Sequence, residues 1–334
     1  MLAMSQPPTP HPIIDIHVHV LPPDACSAEA YVSTTQWNWP SFLYLRLRHR
    51  MKRQEPVAGN GIIRSHLARA VASMQAVDRV VALALDAVYD DSGRKDNRRT
   101  HFYVANDYVF QLAKADDRFL PGVSVNPKRL DALAELERCL EQGAVLLKWL
   151  PNSQGFDPMD RALVPFYRRM ADARLPLLCH TGPEYALTTA DRRPVRPESL
   201  RLALDEGVVV IAAHGGGADI QDFGHAFSRM AEMLLKHPNL YADTSAFTQP
   251  NRSWFLRRFL RHPELHSKLV HGSDVPLPVI PWLFLGHLPF REIVRLSRVA
   301  SPMDRDCLIK RALGFPESIF HRGSELLRMV HASP

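Results

Sequence analysis

Ile13-Ile14-Asp15-Ile16-His17-Val18-His19-Val20 is a short apolar run carrying histidines at alternate positions. In an extended strand, side chains two residues apart point the same way, so His17 and His19 are expected on one face with Ile14, Ile16 and Val18 on the other. Such a strand is a metal clip. It holds two imidazoles at a near-fixed separation, and imidazole is the commonest protein ligand for zinc-like ions. A lone His-X-His pair is a weak signal, and its weight here comes from the polar residues that end other apolar runs further along.

After Val20, the stretch 21–62 is rich in Pro, Trp and polar residues, including Trp37-Asn38-Trp39-Pro40, and reads as a packed lid over whatever the first strand carries. Regular units then begin. Helical patterns over Ile63–Val77, Arg98–Ala115, Arg129–Glu141, Pro158–Ala173, Glu198–Glu206, Phe223–Lys236 and Trp254–Leu260 alternate with short apolar runs. Those runs are Val80–Leu85, Phe119–Val125, Ala144–Trp149, Leu175–His180, Val208–His214, Leu240–Asp243 and Lys268–His271. Continuous apolar runs bounded by turn signals are what strands buried on both faces look like. With the first strand they make eight, and strands separated by helices imply right-handed crossovers and a parallel sheet. The expected fold is an α/β, (β/α)₈ TIM-type barrel over 12–288, with a lid inserted after the first strand and helices over 289–334 packed on the outside. A doubly wound open sheet would carry a Gly-rich turn after its first strand, where this chain has Leu21-Pro22-Pro23.

Bulk properties agree with one such barrel. The 334 residues are 46% hydrophobic and 23% charged, the balance of a soluble globular protein, and contain no apolar stretch of membrane-spanning length. Met1 to His11 does not read as a secretory signal. The net charge of +6 is scattered, and the densest basic stretch, Arg46 to Arg53, reads as a solvated face, so neither nucleic acid nor membrane is an expected partner. Cys26, Cys139, Cys179 and Cys307 are far apart and share no CxxC spacing, so neither a disulfide framework nor a thiolate zinc site is indicated, and a reducing cytoplasm fits best.

Polar residues stand at the carboxyl ends of the strands: His17 and His19 on the first, Lys148 on the fourth, His180 on the fifth, His214 on the sixth, and Asp274 just past the eighth. A barrel gathers these ends at one mouth, where active sites sit, and nitrogen ligands with a carboxylate suit a zinc-like ion. The stretches Ile14-Asp15-Ile16-His17-Val18-His19, Leu147-Lys148-Trp149-Leu150-Pro151, Leu178-Cys179-His180-Thr181-Gly182, Ala213-His214-Gly215-Gly216 and His271-Gly272-Ser273-Asp274-Val275-Pro276 resemble the amidohydrolase superfamily. The resemblance is strongest to its amidohydrolase-related branch of metal-dependent hydrolases, lactonases, hydratases and non-oxidative decarboxylases.

That resemblance implies that His17, His19 and Asp274 bind a first divalent metal, of which Zn²⁺ is the expected identity. His180 would complete a mononuclear site or belong to a second metal, and His214 would ligate a second metal or polarise the substrate. Lys148 would be a carboxylated bridge between two metals or an unmodified lysine; one metal per chain is the favoured count. Asp274 and His214 would be the catalytic pair, acting on a small-molecule amide, ester or lactone, with decarboxylation or hydration of an aromatic or unsaturated acid as the alternative. Asp191-Arg192-Arg193 is a candidate holder of a substrate carboxylate, Trp37 and Trp39 suit a planar substrate or a hydrophobic plug, and a homodimer is the candidate assembly. One departure from the family pattern, Arg322-Gly323-Ser324 in place of an Asn-Ala stretch, bears on packing or assembly rather than chemistry.

Overall fold

The computed structural model describes residues 11–20, 30–40, 42–43, 47, 67–191, 195–217 and 225–328. Most of the lid stretch 21–62, including most of the basic run 46–53, lies outside them, as do Cys26, Arg192 and Arg193.

Among the described residues ten strands form: β1 (Ile14–His19), β2 (Ala30–Val32), β3 (Arg79–Leu83), β4 (Phe102–Val104), β5 (Phe119–Val123), β6 (Leu146–Trp149), β7 (Leu177–Cys179), β8 (Val210–Ala212), β9 (Leu240–Asp243) and β10 (Leu269–Val270). Eight of them make one parallel sheet in the order β1-β3-β5-β6-β7-β8-β9-β10. The ring then closes. Ile16 N–H donates to His271 O at 3.2 Å and His19 N–H to Val275 O at 2.7 Å, while Asp274 N–H returns to His17 O at 2.9 Å. Helices on the outside cover the strands, each through an apolar stripe. Ala132–Glu141, for example, buries Ala132, Leu136, Cys139 and Leu140, positions spaced at helical period, and Gly143 at φ 86° ends it.

The inner face of the ring is a packed core. Ile14 and Ile16, Val81 and Leu83, Leu120, Leu146, Leu178, Ile211 and Val270, at least one from nearly every strand, form one cluster, and Leu327 joins it. Neighbours one position along, such as Val80, Ala82, Leu147, Trp149, Leu177 and Ala242, belong instead to the core under the helices. β1 departs from the strict alternation expected of it, because its register against β3 shifts between Asp15 and Val18. Ile14 and Ile16 pack inside the barrel while Val18 joins the outer core. Without this bulge, burying both isoleucines inward would turn His17 and His19 outward.

Two further expectations are corrected. Arg98–Ala115 is not one helix: Phe102-Tyr103-Val104, aromatic and β-branched, pairs as β4 antiparallel to β2, and the helix runs over Asn106–Ala115. Nor do all the terminal helices stay on the outside. Phe290–Ser297 and Pro302–Ala312 lead to Ser318–Leu326, whose Gly323 lies so close to β1 that a Cβ there would meet Ile16 Cγ2 at 3.1 Å and Ile14 Cβ at 3.2 Å. Leu327 follows into the barrel interior, and Arg328 N–H bonds to Val145 O at 3.0 Å, so this segment floors the barrel. Residues 67–72 are helical within the expected 63–77, and β10 is shorter than the run 268–271, because Pro263–Lys268 is a 3₁₀ turn. Among the described residues no helix is long and apolar enough to cross a membrane. Cys139, Cys179 and Cys307 are buried free thiols.

Candidate metal centre

Strand phase decides which polar side chains reach the mouth. Lys148 is in phase with the inward Leu146, His180 with Leu178, Asp243 with Tyr241, and Asp274 continues the phase of Val270 beyond β10. β1 adds His17 and His19 through its bulge.

Three donors meet there. His17 Nε2 lies 3.2 Å from His19 Nε2 and 3.5 Å from Asp274 Oδ1, and His19 Nε2 lies 3.3 Å from the same oxygen. Four-coordinate zinc, with bonds of about 2.0–2.2 Å to nitrogen and oxygen, sets its ligands roughly 3.3–3.6 Å apart. The trio therefore fits such an ion. Asp274 is held at φ 70° by its bonded place in the turn after β10, which aims the carboxylate back over β1. Burial raises its carboxyl, but His17, the hydrogen bond from His19 and the charge of Arg252 together hold it well below the usual carboxylate range.

Sequence reading missed the residue that orients this set. Asp243, at the end of β9 and fully buried, places Oδ2 2.6 Å from His17 Nδ1, the carboxylate–histidine arrangement that fixes which ring nitrogen keeps its lone pair. Its Oδ1 accepts from the His214 N–H at 2.7 Å, the Ser245 N–H at 3.1 Å and the Ser245 hydroxyl at 2.5 Å. Asp243 was visible only as a strand end, and no motif marked it. Burial and the nearby Lys148 hold His17 down to about 4, so it is neutral at physiological pH, as a metal-binding imidazole must be.

His214 follows β8 at φ 57°, and Gly215 after it at φ 67° tolerates no side chain, since a Cβ would lie 2.6 Å from Phe259 and 2.7 Å from Phe247. The Ser245 hydroxyl, which gives its proton to Asp243, lies 2.8 Å from His214 Nδ1 and must accept there. His214 thus keeps its Nε2 lone pair. With His17 and Asp243 it forms a second group whose donors lie within 4.8 Å of one another. His180 falls outside both such groups; its ring packs edge-on against His214 at 5.1 Å, and among the described residues its buried Nε2 has no hydrogen-bond partner. Lys148, also fully buried, places Nζ 3.1 Å from His17 Nε2, and burial lowers its pKa, favouring the uncharged amine.

Above the donors lies a cavity of about 270 Å³, lined by His19, Lys148, His180, His214 and Asp274 and by Glu184 and Arg252, neither of which carried a sequence signal. Glu184 sits four residues after His180; its Oε1 accepts the N–H groups of Ala186 at 2.6 Å and Leu187 at 2.9 Å, and Oε2 is 3.5 Å from His180 Nδ1. Neither tryptophan of the lid stretch lines the cavity. Trp37 is buried against Phe42, which does line it, and Trp39 donates through Nε1 to Tyr185 O at 2.9 Å.

A family model described as amidohydrolase matches residues 14–292. No curated protein matches the chain. Among solved structures, an uncharacterised TIM-barrel protein from Bordetella bronchiseptica is 18% identical with a TM-score of 0.55, over 90% of this chain and 99% of that one. The 5-carboxyvanillate decarboxylase LigW from Sphingomonas paucimobilis is 13% identical with a TM-score of 0.53, over 96% and 99%. Both are similar to this chain in fold.

Proposed function

Since the chain belongs to the amidohydrolase family, we propose that it is a metal-dependent hydrolase of small-molecule esters, amides or lactones, with one zinc-class ion held by His17, His19 and Asp274 and completed by His180. The observation that carries this reading is the convergence of His17 Nε2, His19 Nε2 and Asp274 Oδ1 at 3.2–3.5 Å beneath the cavity. A bound zinc-class ion supplies Lewis acidity and an activated water at neutral pH. Asp274, kept ionised, offers Oδ2 to take the proton of that water and then deliver it to the leaving group. His214 is a lone-pair donor at Nε2 and neutral, since burial lowers its pKa well below the ordinary histidine value. Polarising a carbonyl would require a proton on that atom, so His214 serves better as an acceptor that steers the substrate or the water. A lysine beside the ion escapes repulsion only without its proton, and burial shifts the Lys148 pKa in that direction.

The apolar walls of the cavity, Phe42, Phe102, Leu150 and Leu277, favour one second reading on the same ligands: decarboxylation or hydration of an aromatic or unsaturated acid. Elemental analysis and a panel of esters, lactones and aromatic acids test both. The purified protein should hold about one divalent transition metal per chain, and His17→Ala with His19→Ala should lose it while staying folded. Full occupancy in the double variant overturns the metal assignment; a second equivalent that requires carbon dioxide and Lys148 overturns the mononuclear one. Release of carbon dioxide from an aromatic acid, with no ester or lactone cleaved, would replace the first reaction by the second.

A further inference from the structure

The wall of the cavity formed by Gln249, Asn251 and Arg252 is built differently from the rest. Arg252 is only 6% exposed, yet among the described residues its buried Nη1 has no hydrogen-bond partner. Gln249, 8% exposed, likewise has a buried Nε2 without one. A guanidinium is charged at any working pH, and a buried N–H of it left without an acceptor is costly unless one arrives. Arg252 also begins the helix Ser253–Leu260, whose amino-terminal end adds positive potential at the same place. The same cavity is also lined by apolar side chains, Phe42, Phe102, Leu150 and Leu277.

We propose that Arg252, assisted by the Gln249 amide, receives a carboxylate of the substrate, so that the molecule turned over is a small anion with an apolar body lying against Phe42 and Phe102. This rests on the metal reading above for which end of the molecule reacts. The charges along the cavity agree with it: Arg252 stands against Glu184 and Asp274, so a divalent ion leaves a positive excess that an anionic substrate offsets. A planar guanidinium fork recognises a carboxylate by two parallel N–H bonds, which a lysine in its place could not reproduce.

The test is titration of benzoate, and of its neutral near-isostere benzamide, by calorimetry into the protein as purified and after removal of metal by a chelator. Benzoate should bind at least tenfold more tightly than benzamide. Arg252→Met should weaken benzoate at least tenfold and leave benzamide within about twofold, with Arg252→Lys in between and Gln249→Leu showing a smaller loss. If Arg252→Met does not fold by circular dichroism, Arg252→Lys and Gln249→Leu carry the comparison, and benzoate affinity unchanged in both overturns the proposal. Benzoate no tighter than benzamide also overturns it. Benzoate binding abolished by the chelator but indifferent to Arg252 overturns it while leaving the metal site standing. Arg252-dependent binding in a protein that never held metal supports it and defeats the metal reading instead.

Discussion

At the scale of single residues, Asp274 and His271 sit three positions apart and make opposite demands. Asp274→Asn keeps an oxygen for the metal and nearly the same volume but cannot accept a proton, so turnover should fall about a hundredfold to ten-thousandfold with metal retained. Metal content and initial rates on the substrate found in the panel measure it, and near-normal turnover would reduce Asp274 to a ligand and turn residue. His271 is fully buried, among the described residues neither ring nitrogen has a hydrogen-bond partner, the nearest carboxylate, Asp306 Oδ1, stands 3.9 Å from Nδ1, and its ring lies 5.4 Å from that of Phe320. Burial, with Lys310 and Arg311 nearby, pushes its pKa well below the ordinary histidine value. The unfolded chain therefore takes up a proton below about pH 6.5 that the folded chain refuses, and stability is lost as pH falls through that value. His271→Phe should stabilise the protein by about 1–2 kcal/mol at pH 7.5, and its advantage should widen by up to roughly 2 kcal/mol towards pH 5. Urea midpoints at the two pH values decide this, and an advantage that does not grow on acidification would mean that the imidazole is solvated in the fold.

At the scale of elements, much of the barrel was legible because each strand buried on both faces writes a continuous apolar run, and each helix a stripe. That six polar residues would gather at the barrel mouth was legible from their position at or just past the ends of such runs. What escaped had physical causes. A bulge is one extra residue in a strand and leaves no mark in composition, so β1 looked like plain alternation. β4 hides beside a helix because Phe102-Tyr103-Val104 is strand-like only when β2 is there to pair with it. Asp243 and Arg252 matter largely through groups that other strands and loops bring to them, whereas Ser245 beside Asp243 and Glu184 four residues after His180 are near their partners but carry no motif. The floor escaped too, since the last helix is amphipathic and reads the same whether it packs outside or beneath. Leu327, 5% exposed, closes that floor, and Leu327→Ala should lower stability by about 2–4 kcal/mol, read as a fall in the urea midpoint at unchanged slope. A loss below about 0.5 kcal/mol would show that the floor does not support the barrel.

At the scale of the whole molecule, ring closure joins positions far apart in the chain: Ile16 bonds to His271, and His19 to Val275. The donor trio straddles that seam, two members on β1 and one just past β10. On a ribosome the two imidazoles are made first, and roughly 10–50 s of translation separate them from Asp274 at ordinary elongation rates. On the proposed metal site, the nascent chain would carry half a binding site throughout that interval, able to take a stray cation loosely and equally able to give it up. Tight capture of a divalent ion would then be a receipt for a finished ring: chains arrested before Asp274 should release zinc to a chelator at once, whereas completed chains should hold it.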